Sequence, residues 1–196
     1  MTPRDRILSA ASELFYAQGI RATGMDLVIA RASVAKATLY SHFPTKDDLV
    51  LAFLERRDEA WRAWLVAAVQ RLSPGPENRP LAVFAAFAER FAEEDYRGCA
   101  FINSMVELAD RDHPAHLAAD RRKQAVTSYI AELLAPLPLA RDPQTLAQQL
   151  VMLIDGAVVT AVRQGGVEAA HLAQAAAHAL LSVSLTPGKS LEPPVV

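Results

Sequence analysis

The sequence predicts an all-α protein of about nine helices: an N-terminal three-helix head built on a helix-turn-helix, then a larger helical body. Three observations carry that expectation. Apolar residues recur at helical spacing through nearly every segment. The segments start at capping residues and stop at glycine or proline. No stretch shows the strict polar-apolar alternation of a half-buried strand. At 196 residues, 52% hydrophobic and 21% charged, the chain is long enough for one or two domains with a substantial core.

The first helix begins at Thr2, with Pro3 at the first helical position and Asp5 completing a Thr-x-x-Asp cap. Ile7, Leu8, Ala11, Leu14 and Phe15 form its apolar stripe, and Gly19 is placed to end it. Thr23 and Asp26 repeat the cap pattern and open a second helix whose apolar face is Met25, Val28, Ile29 and Ala32. The break falls near Ser33-Val34, and a short third helix runs from Ala35 to Phe43, because Pro44 disfavours helical backbone in the residue before it. Thr45 and Asp48 give a third cap and open a long helix from about Lys46 to Leu72, striped by Phe53, Trp61, Trp64, Leu65, Ala68 and Leu72. After a breaker run at 73–80, helices are expected near 81–94, 100–110, 113–135, 142–164 and 167–185. Asp142-Pro143 is a cap-plus-proline start, and Gly165-Gly166 separates the last two helices. The domain division is then a head at 1–46, with the motif at about 24–43, a body at 47–186, and a disordered tail at 187–196.

Composition narrows the function classes. No apolar run approaches the roughly 18 residues needed to cross a bilayer, the N-terminus lacks a secretory layout, and the single Cys99 fits a reducing compartment. The expectation is a soluble, cytoplasmic protein. Catalytic triad spacing, Gly-rich phosphate loops and two-His-Glu zinc motifs are absent from the sequence, so it offers no support for an enzyme. His113-Pro114-x-His116, beside Asp110, Asp112 and Asp120, reads as a capped helix start rather than a metal site. His171 and His178 share a helix face with no carboxylate or Cys spaced to complete a site, so neither metal nor cofactor is expected. Cys99 reads as a small buried thiol rather than a redox switch.

Charge is distributed unevenly. Residues 1–46 carry six basic and three acidic side chains, a balance of +3 within a chain of net charge −2. A weakly basic head on an acidic body attracts a polyanion at one end only. The third helix has two faces at 100° per residue. Ala35, Leu39 and Phe43 point toward a core, while Lys36, Ala37, Tyr40 and Ser41 point outward. A cation, two hydroxyls and a small residue suit a helix laid in a major groove, and equally a solvated surface helix. Lys46 opposes the dipole of the long helix it begins. It is either half of a phosphate clamp made with that helix's free amides or a surface lysine offset by Asp47 and Asp48.

Residues 30–49, A-R-A-S-V-A-K-A-T-L-Y-S-H-F-P-T-K-D-D-L, resemble the DNA-binding signature of the TetR family of transcriptional regulators, including its L-Y-x-H-F core. The resemblance implies that Lys36, Tyr40, His42 and Lys46 contact phosphates and that Ala37, Thr38 and Ser41 approach bases, with Thr23 counted among the DNA-binding residues. For His42 the alternative is packing against Phe43 and the next helix. Two positions depart from the pattern: Ser33 stands where the family usually has Gly, a place that often needs positive φ, and Ile29 stands where many members carry Ala.

The resemblance further implies a homodimeric regulator, most simply a repressor, that binds palindromic operator DNA and is released by a small apolar or amphipathic effector. Its competitor is a small-molecule-binding protein or protein-contact adaptor whose head no longer reads DNA. Leu146, Leu150, Leu153, Ala157 and Ala161, with Leu172, Ala176 and Leu180, recur at helical spacing on the last two long helices and are the expected dimer interface. The expected effector pocket gathers Trp61, Trp64, Phe84, Phe87, Phe91, Phe101, Met105, Tyr129 and Met152, with Asn103, Glu107, Arg121 and Asp155 as polar anchors. Y-R-G-C-A-F-I-N, followed by D-R-D-H-P-A-H, also resembles a carboxy-terminal domain found in one subgroup of the family.

Overall fold

A computed structural model describes residues 1–73 and 75–191. Its nine α-helices among those residues are α1 (Pro3–Gln18), α2 (Met25–Ala32), α3 (Lys36–His42), α4 (Lys46–Leu72), α5 (Arg79–Phe91), α6 (Ala100–Leu108), α7 (Pro114–Leu134), α8 (Pro143–Gln164) and α9 (Glu168–Ser182). A 3₁₀ turn at Pro76–Asn78 occupies the breaker run. The all-α class and the order of elements are as the sequence predicts. Extended pairing among the described residues is limited to an isolated antiparallel bridge between Leu139 and Leu185. Of the tail expected to be disordered, residues 192–196 lie outside the described residues.

Local side-chain caps explain three of the helix starts among the described residues. At Thr2 and Thr45 the hydroxyl accepts the amide three residues on, and the carboxylate of Asp5 or Asp48 accepts the amide of the threonine, a complete capping box each time. Asp142 accepts the amides of Gln144 and Thr145 at the head of α8. Thr23 is different. Gly24 is the N-cap of α2 and no side chain caps it. The Thr23 hydroxyl instead donates back to the Gly19 carbonyl at 2.7 Å and to the Leu14 carbonyl at 3.4 Å, and its side chain is fully buried. The cap expected at Thr23 is therefore corrected: the same Thr-x-x-Asp pattern serves as a tie within the turn after α1.

The chain forms two compact units. The first comprises Met1–Trp61 with Cys99–Arg122, the second Arg62–Gly98 with the chain from Lys123 onward. In the first unit Ile7, Leu8, Ala11 and Phe15 of α1, Val28 and Ala32 of α2, Leu39, Phe43, and Leu49, Val50 and Phe53 of α4 close one core, which Phe101 of α6 and Ala115 and Ala119 of α7 complete. Phe15 and Phe53 meet edge to face with centroids 5.5 Å apart. In the second unit α9 packs on α8 and α5. The α7–α8 loop is pinned there, Ala140 donating to the Ser184 carbonyl and Thr186 to the Pro138 carbonyl, each at 2.8 Å.

Two expectations about α8 change. By length and composition alone α8 is apolar enough to cross a membrane, although no such run stands out in the sequence. Its inner row explains half of that apolarity: Leu146, Leu150, Ile154, Ala157, Val158 and Ala161 are buried within the chain's own core. Leu146, Leu150, Ala157 and Ala161 are thus core residues and not an outward face, a correction of the stripe expected at an interface. The other half lies outside, where Met152, Val159 and Val162 are each more than half exposed, together with Leu172 of α9 and Val183 just after it.

Candidate nucleic-acid interface

The helix-turn-helix is set by the burial of one residue row and the exposure of the other. Leu39 and Phe43 are buried and hold α3 to the core of the first unit. Lys36, Ala37, Tyr40, Ser41 and His42 are exposed, and Thr38 is half-buried. Ala35, expected to face inward, is exposed, because it is the extended N-cap residue of α3 rather than part of its first turn. His42 is exposed, and the Arg4 guanidinium lies over the Phe43 ring, 5.2 Å from its centroid.

The turn between α2 and α3 has the strained backbone expected at Ser33. Its φ and ψ are 53° and 52°, the left-handed conformation, which costs a residue with a Cβ about 1–2 kcal/mol. The Ser33 N–H donates to the Ala30 carbonyl, and Val34 donates to Ile29. Arg6, reaching from α1, donates to the Ser33 carbonyl at 3.3 Å. That cross-brace was hidden in the sequence, since nothing local couples residues 6 and 33.

Charge on this surface is partly spent within the protein. Arg31 grips Glu13 through Nε and Nη2 at 3.1 and 2.6 Å. Lys36 Nζ stands 3.5 Å from Asp26 Oδ1 with both side chains largely exposed, a weak, salt-screened pair that a phosphate can replace. At the start of α4, Lys46 is half-buried while Asp47 approaches His113 Nε2 at 3.5 Å. Thr23, counted among the DNA-binding residues, has no exposed side chain to offer one. That assignment is corrected.

Residues 7–53 match the family model described as bacterial regulatory proteins, tetR family. A TetR-family transcriptional regulator from Streptomyces coelicolor has the same fold, with a TM-score of 0.85 and 34% identity over 94% of this chain and 90% of that one. The chain belongs to the TetR family of transcriptional regulators. The HTH-type transcriptional regulator YjdC of Escherichia coli K12 is 28% identical over 86% of this chain and 89% of its own length. The HTH-type transcriptional repressor NemR of the same strain is 24% identical over 79% of this chain and 81% of its own.

In this TetR-family chain the expected pocket residues fall into distinct surroundings. Within the first unit, Arg122 is buried, ion-paired with Asp58 and stacked over Trp61 at 4.0 Å and Phe101 at 5.5 Å. Its neighbour Arg121, chosen from the sequence as a polar anchor, is exposed; the helical register places the buried guanidinium one position later. Met105 packs on the core of that unit. Asn103 is exposed, and Glu107 is bonded to the Arg21 amide. Within the second unit, Trp64, Phe87 and Phe91 make successive edge-to-face contacts at 6.5 and 5.8 Å, with Phe84 buried on the same helix. Asp155 is paired with Lys123. Burial pushes the phenol of half-buried Tyr129 above its ordinary range. Met152 is corrected: it stands on the outer face of α8.

Of the expected interface residues, Leu172 and Ala176 are exposed and Leu153 and Leu180 half-buried. Val183, which shares the helical spacing of Leu172, Ala176 and Leu180, is exposed as well, and Met152 joins this surface rather than a pocket. Val159 and Val162 extend it and went unread, because α8 is apolar around most of its circumference and two stripes fit its sequence equally well.

Proposed function

We propose that this chain is a homodimeric transcriptional repressor that reads palindromic operator DNA with α3 and is released by a small apolar or amphipathic effector. The observation that carries the reading is the split of α3: Leu39 and Phe43 are buried while Lys36, Ala37, Tyr40, Ser41 and His42 are presented together. Phosphates are met by Lys36, Tyr40, His42 and Lys46, and bases by Ala37, Thr38 and Ser41. The functional division is a reading head at 1–46 and a body at 47–186, acting in the cytoplasm by binding and not by catalysis. NemR, a curated repressor similar over most of its length, supports the sign of regulation.

The exposed apolar rows support dimerisation. Met152, Val159 and Val162 on α8, with Leu172 and Ala176 on α9 and Val183 just after it, form a surface that water does not favour. Paired across a two-fold axis, such rows close a four-helix contact and hold two heads about 34–36 Å apart. For the effector, Trp64, Phe87 and Phe91 within the second unit supply apolar walls. An effector preferring a conformer with α4 tilted shifts the heads out of register by its differential affinity alone.

Genomic footprinting followed by anisotropy titration on the recovered duplex tests the reading. Lys36→Ala and Tyr40→Ala are expected to weaken binding, Lys36→Ala also lowering the log–log salt slope by about one. Unchanged affinity in both variants overturns the assignment of α3. Failure of the wild type to bind any duplex favours a head that no longer reads DNA.

A further inference from the structure

Late in α6, Glu107 reaches the turn that joins α1 to α2. Its Oε2 accepts the Arg21 N–H at 2.9 Å, across 86 residues of sequence. Its other oxygen lies 2.7 Å from where a Cβ on residue 19 would stand, so Gly19 is what admits the carboxylate. Gly19 has φ 92° and ψ 159°, a conformation essentially confined to glycine. The same turn is tied from inside by the Thr23 hydroxyl on the Gly19 carbonyl. α6 is itself fixed, with Phe101 buried in the core of the first unit and Met105 and Leu108 packed against it.

We propose that Glu107 is a positioning residue for DNA reading. By holding the Arg21 amide it fixes the turn from which α2 springs, and so the orientation in which α2 and α3 meet the groove. The proposal rests on the reading of α3 given above. A carboxylate on a backbone amide is a charge-assisted bond, and a head already held in its binding geometry loses less conformational freedom when DNA is bound. Glu107 acts through the turn and does not touch DNA.

The full-length wild type, Glu107→Ala and Glu107→Gln are compared by hydrogen exchange at the Arg21 amide. Their affinities are measured on the footprinted operator and on an unrelated duplex at one salt concentration. Glu107→Ala is expected to speed exchange at Arg21 and lose about fivefold in operator affinity, with affinity for the unrelated duplex unchanged. Glu107→Gln, which keeps an accepting oxygen, restores most of both. If the wild type binds the operator and Glu107→Ala matches it, the positioning role is overturned alone. Equal losses on both duplexes, or no rescue by glutamine, overturn it in favour of general loosening. A wild type that binds no duplex overturns the reading of α3 instead, and this role with it.

Discussion

Ser33 shows how one residue can sit against its own preference. It occupies left-handed backbone at the turn of the helix-turn-helix, stabilised by the Arg6 guanidinium on its carbonyl. Removing the Cβ relieves strain, although glycine also loses more freedom on folding. Ser33→Gly is therefore expected to stabilise by about 0.5–1 kcal/mol, raising the melting temperature by about 2 °C. A lower melting temperature would falsify the strain argument. Positive φ here was legible only through the family resemblance, because Ser33 stands where the family usually has Gly. Arg6 was not, since its partner lies 27 residues away.

At the scale of elements, legibility followed distance along the chain. The caps at Thr2, Thr45 and Asp142 involve atoms within three residues of one another, and each forms as the pattern predicts. Thr23 carries the same letters, yet its hydroxyl found a carbonyl four residues behind it, a competition that the motif does not encode. The inner and outer faces of α3 could be read because one row is strongly apolar and the other is not. In α8 both rows are apolar, so periodicity could not choose the buried one. The caps also carry a pH signature. Hydrogen bonds from the Thr145 hydroxyl and amide hold the Asp142 carboxyl below its usual range. A carboxyl depressed in the folded state contributes stability that is present above its unfolded pKa and lost as pH falls through the folded value. Thermal melts from neutral to strongly acidic pH are expected to show a shallower acid decline in Asp142→Asn, which still caps but does not titrate. An identical acid limb removes Asp142 from the account.

For the whole molecule, the ion pairs that organise each unit were beyond sequence reading. Asp58 and Arg122, or Lys123 and Asp155, come together only once the helices have packed. The exposed rows of α8 and α9 give the sharpest prediction at this scale. Val159→Glu or Leu172→Glu is expected to leave the fold intact, give monomers by light scattering, and cut operator affinity at least about 100-fold, since two linked heads bind far more tightly than one. A dimer of normal mass in both variants moves the contact to another surface.

Under the proposed pairing, those same outward rows set how the regulator responds to its own abundance. Where protomers are scarcer than the dissociation constant of the pair, the paired form grows with the square of their concentration, and both operator occupancy and apparent stability follow by mass action. With Met152, Val159, Val162, Leu172 and Val183 as the proposed contact, pairing makes a threshold: halving the copy number quarters the supply of paired heads, before any effector has entered.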